Sequence, residues 1–513
     1  MSDSAETLEA IGGTLPIAQD LVQEGGNAKC CISRLPPEIL GHVFFLVPSR
    51  LALDGTLCFP ARQTYDLVPL THACQRWRAI ALSISSLWST ICETSPAHIA
   101  SHVLRGRARQ APLTVYVDRP QASVALTEIL ASDGHAVTEL HLRGLQDESS
   151  VRLASELLAF PAPHLRHATV RIRRKPGASA HSAADYEPVI EFWRGTAPKL
   201  KTLELHDVPL LPSNHLASLS RLRLSFEFVP LEWNLRDLFE VLSRAPELGF
   251  LSLHGLPSDL HLRQPLKGWT SPVSVQRLRC IEIGDCRGQS CPVPLMKAIL
   301  THIDLPLGAS IRLFGIDARK LSGPLHGAFL PMEETKLEIS MTFSALSLRL
   351  SEVQKSTSIC IELKTGGASK AALGKAIRNF VTEPISSSIR DVTVSSQRAW
   401  SSWCEPQNLL SMLPRISVLE LRDPPLSDPI VRALDPQTEE TGETQPASKA
   451  LCRELTTVRL PSLGDPSLVE RLSSVSRHRS SLGLPRLIAR KCRVYAYGRE
   501  GLRPHNASPV DYL

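Results

Sequence analysis

One phrase constrains this chain more than any other: Leu-x-x-Leu-x-Leu, with other aliphatics standing in, is written seven times. The copies are Val137-Leu140-Leu142, Leu200-Leu203-Leu205, Leu219-Leu222-Leu224, Leu248-Leu251-Leu253, Leu278-Ile281-Ile283, Ile416-Leu419-Leu421 and Leu455-Val458-Leu460. The last two aliphatics of each copy stand two residues apart, which puts them on one face of a strand. Helical spacing lies beside several copies. Leu235, Leu238, Phe239 and Leu242 form a helix face before Leu248, and Leu295 and Ile299 begin another after Ile283. A proline stands two residues ahead of an opening aliphatic at Pro163, Pro198, Pro246 and Pro414. Proline there predicts the end of an incoming helix and an extended approach to the strand. Alternating helices and strands favour parallel strands backed by helices, because a same-direction return needs a crossover of a dozen residues or more. The expectation is that Leu203, Leu205, Leu251, Leu253, Ile281 and Ile283 share a core on neighbouring parallel strands. Segments 207–245 and 255–277 would then cross on the far side, with Glu204 and Glu282 on the opposite, open face.

The phrase resembles a divergent leucine-rich repeat, which implies a stacked α/β solenoid. A regular repeat places Asn or Cys three residues after the last leucine. Here that slot holds Leu145, Val208, Glu227 and Leu256, and Cys286 conforms. The spacing between copies runs from 19 residues (Leu200 to Leu219) to 30 (Leu248 to Leu278). The expected solenoid is therefore irregular; the competing reading is an ordinary α/β domain whose leucines pack a sheet.

Ahead of the repeats, residues 33–88 write two short amphipathic helices. Pro36 and Pro37 suit a helix start, since proline's fixed φ fits the first turn and its missing N–H is not needed there. Ile39, Val43 and Leu46, with Leu40, Phe44 and Val47 beside them, recur at helical spacing until Pro48 stops the run. Leu70, Ala73, Cys74, Trp77, Ile80 and Ala81 form the apolar stripe expected of a second helix, with Arg76 and Arg78 pointing elsewhere. Two such helices carry more apolar surface than they can hide against each other, and the surplus predicts a partner protein.

This stretch resembles the F-box, the helical module that docks a substrate receptor onto the Skp-type adaptor of a cullin–RING ubiquitin ligase. The resemblance runs through Leu35, Pro36, Glu38, Ile39, Leu40, Val43 and Phe44, then Leu70, Cys74, Trp77, Arg78, Ile80 and Ala81, and closes on Leu87 and Trp88. It implies an adaptor-binding set of Leu35, Pro36, Pro37, Glu38, Ile39, Leu40, Val43, Phe44 and Leu70. The core of the module would be Cys74, Trp77, Ile80, Leu87 and Trp88. Two departures stand out: Ala73 replaces a more usual branched residue, and 18 residues, Pro48 to Tyr65, separate the helices. A surface loop of that length adds little closure entropy, so it reads as an insertion.

Composition narrows the function classes. The chain has 513 residues, 43% hydrophobic and 21% charged, which is globular and too long for one ordinary domain. A net charge of +6 over this length is small for a protein whose main partner is nucleic acid. No apolar run approaches a membrane helix, and the first 29 residues show no basic-then-apolar signal pattern. Twelve scattered cysteines fit a reducing compartment, so the expected location is cytoplasmic, nuclear or both, and the sequon at Asn506 is expected to go unused. Cys280, Cys286 and Cys291 with His302 downstream lack the second short-spaced pair of a structural zinc site; neither metal nor cofactor is expected. Gly366-Gly367 and Gly374-Lys375 do not make a phosphate loop, because Ala376 follows the lysine and the glycine spacing is wrong. No catalytic constellation emerges. Arg171 to Lys175 reads as a solvated basic run.

The expected organisation is a polar tail at 1–29, the F-box-like module at 30–92 and a connector at 93–134 with a helix near 98–105 and a strand at 111–117. The repeat region covers 135–495, broken by a mobile acidic loop at 435–449, and a tail follows at 496–513. In class this is α/β, a small N-terminal helical F-box module followed by an irregular leucine-rich-repeat-like α/β solenoid. The resemblance implies a non-catalytic substrate-recognition subunit of an SCF ubiquitin ligase, with a Skp-type adaptor, the cullin–RING ligase and a protein target of unread identity as partners. The alternative is a repeat-based binding scaffold with no ligase connection.

Overall fold

A computed structural model describes residues 31–47, 64–93, 103, 105–117, 130–145, 156, 158–172, 189–227, 233–257, 260, 272–285, 292–321 (without 307), 334–352 (without 343), 357–396 (without 367 and 384), 405–435 (without 423), 451–460 and 466–491. The expected N-terminal tail, most of the 48–65 insertion, nearly all of the acidic loop, the C-terminal tail, Cys286, Cys291 and the sequon lie outside the described residues. The chain divides into two compact units, one of residues 1–179, 190–208 and 212–216, the other of 180–189, 209–211 and 217–513.

The first unit opens with three helices, α1 (Pro37–Leu46), α2 (Val68–Ala73) and α3 (Gln75–Ser83). Five strands of the main sheet follow among the described residues: β1 (Thr90–Glu93), β2 (Leu113–Val117), β3 (Val137–Leu145), β4 (His167–Ile172) and β5 (Thr202–His206). They lie side by side in chain order, each parallel to the next. β1 and β2 fall in the stretch read as the end of the module and the connector, so the sheet begins at Thr90. Register aligns Val115, Leu140, Ala168 and Leu203 in one row and Val117, Leu142, Val170 and Leu205 in the next. All eight are buried.

The main sheet of the second unit has eleven strands among the described residues. They are β6 (Arg221–Ser225), β7 (Phe250–His254), β8 (Cys280–Gly284), β9 (Ser310–Asp317), β10 (Thr335–Met341), β11 (Ala345–Glu352), β12 (Ser358–Lys364), β13 (Ile389–Ser396), β14 (Val418–Leu421), β15 (Thr457–Leu460) and β16 (Ile488–Lys491). Their spatial order is β6-β7-β8-β9-β12-β11-β10-β13-β14-β15-β16. Neighbours are parallel except around β11, which is antiparallel to both β10 and β12. This meander departs from the all-parallel order expected for the repeats, and it occupies the gap between the Ile283 and Ile416 copies. Its strands carry strict alternation, as in Leu346-Leu348-Leu350 and Ile359-Ile361-Leu363, so they keep the inner rows unbroken although the phrase is missing. One row reads Leu222, Leu251, Ile281, Ile311, Ile359, Leu350, Leu337, Val392, Leu419, Val458, Ala489 from strand to strand.

Helices α4 (Leu235–Ser243), α5 (Val293–Thr301), α6 (Lys370–Phe380), α7 (Pro406–Ser411), α8 (Pro424–Leu434) and α9 (Pro466–Ser481) connect these strands. α4 begins in a capping box, with the Asn234 side chain accepting from the Asp237 N–H and the Asp237 carboxylate from the Asn234 N–H. It buries Leu235, Leu238, Phe239 and Leu242, the face read from the sequence.

The prolines before the strands also take a turn position. Pro246 stands two residues past Arg244, the C-cap of α4, where it bars continuation of the helix. It occupies the second position of a four-residue turn closed by the Leu248 N–H on the Ala245 carbonyl at 3.1 Å, where its fixed φ belongs. The same bond joins Leu165 to Ala162, Leu200 to Ala197 and Ile416 to Leu413, spanning Pro163, Pro198 and Pro414. The turn buries the opening aliphatic, and the strand starts two residues later.

The opposite face of the strands is less open than its charges imply. Glu204 is only 3% exposed and lies 3.7 Å from the His206 ring, which removes it from the contact surface expected for it. Glu282 remains partly exposed and pairs with Arg312 at 2.8 Å. In register, the outer row of the second unit reads Arg223, Ser252, Glu282, Arg312, Cys360, Arg349, Glu338, Thr393, Glu420, Arg459 and Arg490, with Ser252 and Thr393 buried within it.

Candidate functional site

α1 starts as the two prolines dictate: Pro36 caps it in an extended conformation and Pro37 fills the first helical position. Its apolar residues divide between two faces. Leu40 and Phe44, one turn apart, are fully buried. Phe44 meets the Trp77 ring at 5.4 Å, and Gly41 lets the helix approach so closely that an added Cβ would stand 2.8 Å from the Ile84 side chain. On the other face Ile39 is 46% exposed and Leu46 78%, with half-buried Val43 between them and Val47 also exposed. Pro36, Pro37 and Glu38 are exposed and Leu35 half-buried. Leu40 and Phe44, counted among adaptor-binding residues from the resemblance, are therefore interior residues of the module, because their exposure is zero. Leu46 and Val47 belong to the outer face instead, and the spacing Ile39, Val43, Leu46 (i, i+4, i+7) was the signal for it.

The second expected helix is two helices. Cys74 stands between α2 and α3 with φ −162° and ψ 167°, outside helical geometry, and its Sγ accepts the Trp77 N–H at 3.4 Å. The Cys-x-x-Trp spacing is thus a cap, with sulfur in the role that Ser or Asp oxygen takes at other helix starts. The break shifts the helical phase. Ile80 and Ala81 are buried as expected, but Leu70, Cys74 and Trp77 are half-buried and Ala73 is exposed. The two arginines bind backbone. Arg76 donates to the Leu35 carbonyl at 2.6 Å, tying the entry of α1 to α3, and Arg78 donates to the Thr71 carbonyl at 2.7 Å.

Leu87 and Trp88 close the module. Both are buried, the Trp88 indole N–H donates to the Ala81 carbonyl at 2.7 Å, and the Arg107 guanidinium lies 4.5 Å over the Trp88 ring. Leu67, on the turn Thr64–Leu67, is fully buried as well. Its place beside the apparent insertion, outside both apolar stripes, hides it in the sequence. β1 follows Trp88 after a single residue, so the helices lead straight into the sheet of the first unit.

The other chemistry read from the sequence resolves into structural roles. Cys280 is half-buried on β8, where burial raises its thiol pKa. The His302 ring stacks on Phe239 at 5.6 Å. Among the described residues no three His, Cys, Asp or Glu side chains are grouped to hold a metal ion. Gly374 and Lys375 lie within α6, which begins with Ser369 as its cap. No helix among the described residues is long and apolar enough to cross a membrane.

No curated protein matches the chain. Residues 32–94 match the F-box-like family, a span that takes in α1, α2, α3, the Leu87–Trp88 closure and β1. The chain carries an F-box-like domain, followed by a mixed α/β region of mostly parallel strands.

Proposed function

We propose that this protein is a non-catalytic substrate receptor of an SCF-type ubiquitin ligase, acting in the cytoplasm, the nucleus or both. The observation that carries the reading is the outer face of α1: Ile39, Val43, Leu46 and Val47 form a continuous apolar stripe on a helix whose opposite face already fills the module's interior. Exposed aliphatics concentrated on one helix mark a protein-docking surface. In an F-box-like domain the partner is a Skp-type adaptor and, through it, a cullin–RING ligase. The strand region is an irregular solenoid of leucine-rich-repeat type. The in-register rows support this, since each strand adds one aliphatic to a core shared with the next. Its outer row of arginine and glutamate is the surface for a protein target. Holding a target beside the charged enzyme raises effective concentration, which is the whole of the catalytic contribution.

The test is copurification with a Skp-type adaptor from native extract, using the complete chain and the double variant Leu35→Ala, Pro36→Ala. The variant removes an apolar anchor and loosens the start of α1, so it should retain less adaptor. Equal recovery by both would contradict the reading, as would a wild-type chain that recovers none. Point variants are preferable to deleting residues 1–90, because that deletion takes Leu87, Trp88 and the first residue of β1 with it.

A further inference from the structure

α6 holds a glycine with no evident structural reason. Gly374 is the fifth residue of the eleven-residue helix, and a Cβ added to it would meet nothing within 4 Å. Glycine within a helix is less stable than alanine, so packing would favour a side chain here. The space it leaves is a groove between α6 and α7, floored by Ala371, Gly374 and Met412 and flanked by Lys370, Arg378 and Glu405.

The charges of the groove are unequal. α6 carries Lys370, Lys375 and Arg378 and no acidic residue. Glu405, the groove's one anion among the described residues, is already engaged: Lys370 Nζ donates to its Oε1 at 2.8 Å and Asn408 Nδ2 to its Oε2 at 3.2 Å. The Lys370 contact holds its carboxyl below the usual carboxylate range. Arg378, which lines the groove, is exposed and meets no carboxylate among the described residues; Lys375, exposed on the same helix just outside the lining, meets none among them either. An apolar floor with uncompensated cations along one side complements a segment that alternates acidic and aliphatic side chains.

We propose that the α6–α7 groove is a docking site for an acidic, aliphatic segment of a partner protein. Its aliphatic side chain lies over Ala371, Gly374 and Met412, and its carboxylates meet Arg378 and Lys375. The inference names a class of target segment for the receptor role and rests on that reading for its purpose.

The probe is a fluorescein-labelled peptide alternating glutamate with leucine, titrated against the full chain by fluorescence anisotropy. Its counterpart has lysine in place of glutamate, and adaptor copurification is measured in parallel. The acidic peptide should bind and the lysine peptide should not. Arg378→Glu, an exposed change, should weaken binding by about tenfold or more, and Gly374→Trp should abolish it by filling the groove. Gly374→Ala should raise the midpoint of thermal unfolding and keep peptide binding within a few-fold, which separates occlusion from misfolding. Equal affinity for both peptides, no binding of the acidic one, or full binding by Gly374→Trp would overturn the proposal. A phosphate-bearing oligonucleotide that displaced the acidic peptide and lost affinity in Arg378→Glu would overturn the assignment to a protein segment. Failure of adaptor copurification with peptide binding intact would contradict the receptor role and leave the groove standing.

Discussion

Cys74 shows how one atom decides local structure. Its extended backbone ends α2, and its sulfur takes a backbone N–H that the first turn of α3 would otherwise leave unsatisfied. Cys74→Ala should therefore lower the stability of the module by about 0.5–2 kcal/mol, whereas Cys74→Ser, with a better acceptor in the same place, should hold or raise it. Thermal unfolding of the two variants beside the wild type checks this, and equal loss in both would mean the cap contributes nothing. A second cysteine sets a pH dependence. Burial pushes the Cys452 thiol up to about 12 from an ordinary 9.0, with the nearby Arg479 guanidinium opposing the shift. Arg479 is itself buried and donates to the Leu451 and Cys452 carbonyls. A raised thiol favours the native state while the unfolded chain also keeps its proton. The contribution is therefore whole below an unfolded value near 9 and is lost as pH rises toward the folded one, by at most about 1.4 kcal/mol per pH unit. Unfolding midpoints between about pH 8 and pH 10 should fall less steeply in Cys452→Ala than in the wild type. Parallel slopes would contradict the assignment.

At the scale of elements, α1 separates two kinds of apolar residue that composition cannot distinguish. Leu40→Ala empties a fully buried site and should cost about 2–5 kcal/mol. The double change Ile39→Asp, Leu46→Asp touches only the outer face and should shift stability by about 0.5 kcal/mol or less. Denaturant titration of the full chain distinguishes the two outcomes, and a large loss in the Asp double variant would place those residues in a core. How far such elements are legible depends on which period the sequence keeps. The strands of the seven phrases and the buried face of α4 follow directly from period two and period 3.6. The break at Cys74 was hidden because Leu70 to Ala81 keeps a helical spacing through a residue whose backbone is not helical. The β10–β12 meander escapes the phrase for a different reason: Leu346-Leu348-Leu350 alternates as plainly as any copy, but Phe343 stands where the phrase has its opening aliphatic. Glu204 illustrates a third limit, since alternation assigns a face without saying whether that face is covered.

For the molecule as a whole, the aliphatic rows hold the strands in register, and the F-box-like domain sits at the start of the first unit's sheet. Leu251 lies between Leu222 and Ile281 in a row with no exposed member on either side. Leu251→Ala should cost about 2–5 kcal/mol, while adaptor binding stays at the wild-type level under conditions where the variant is folded. Thermal unfolding with parallel adaptor copurification checks both halves. Docking of an adaptor on the outer face of α1 is read out by isothermal titration of the purified full chain with a Skp-type adaptor. A saturable one-to-one complex that Ile39→Asp, Leu46→Asp abolishes, with unfolding unchanged, is the predicted result. No heat of binding from the folded wild type, or equal affinity in the double variant, would contradict it.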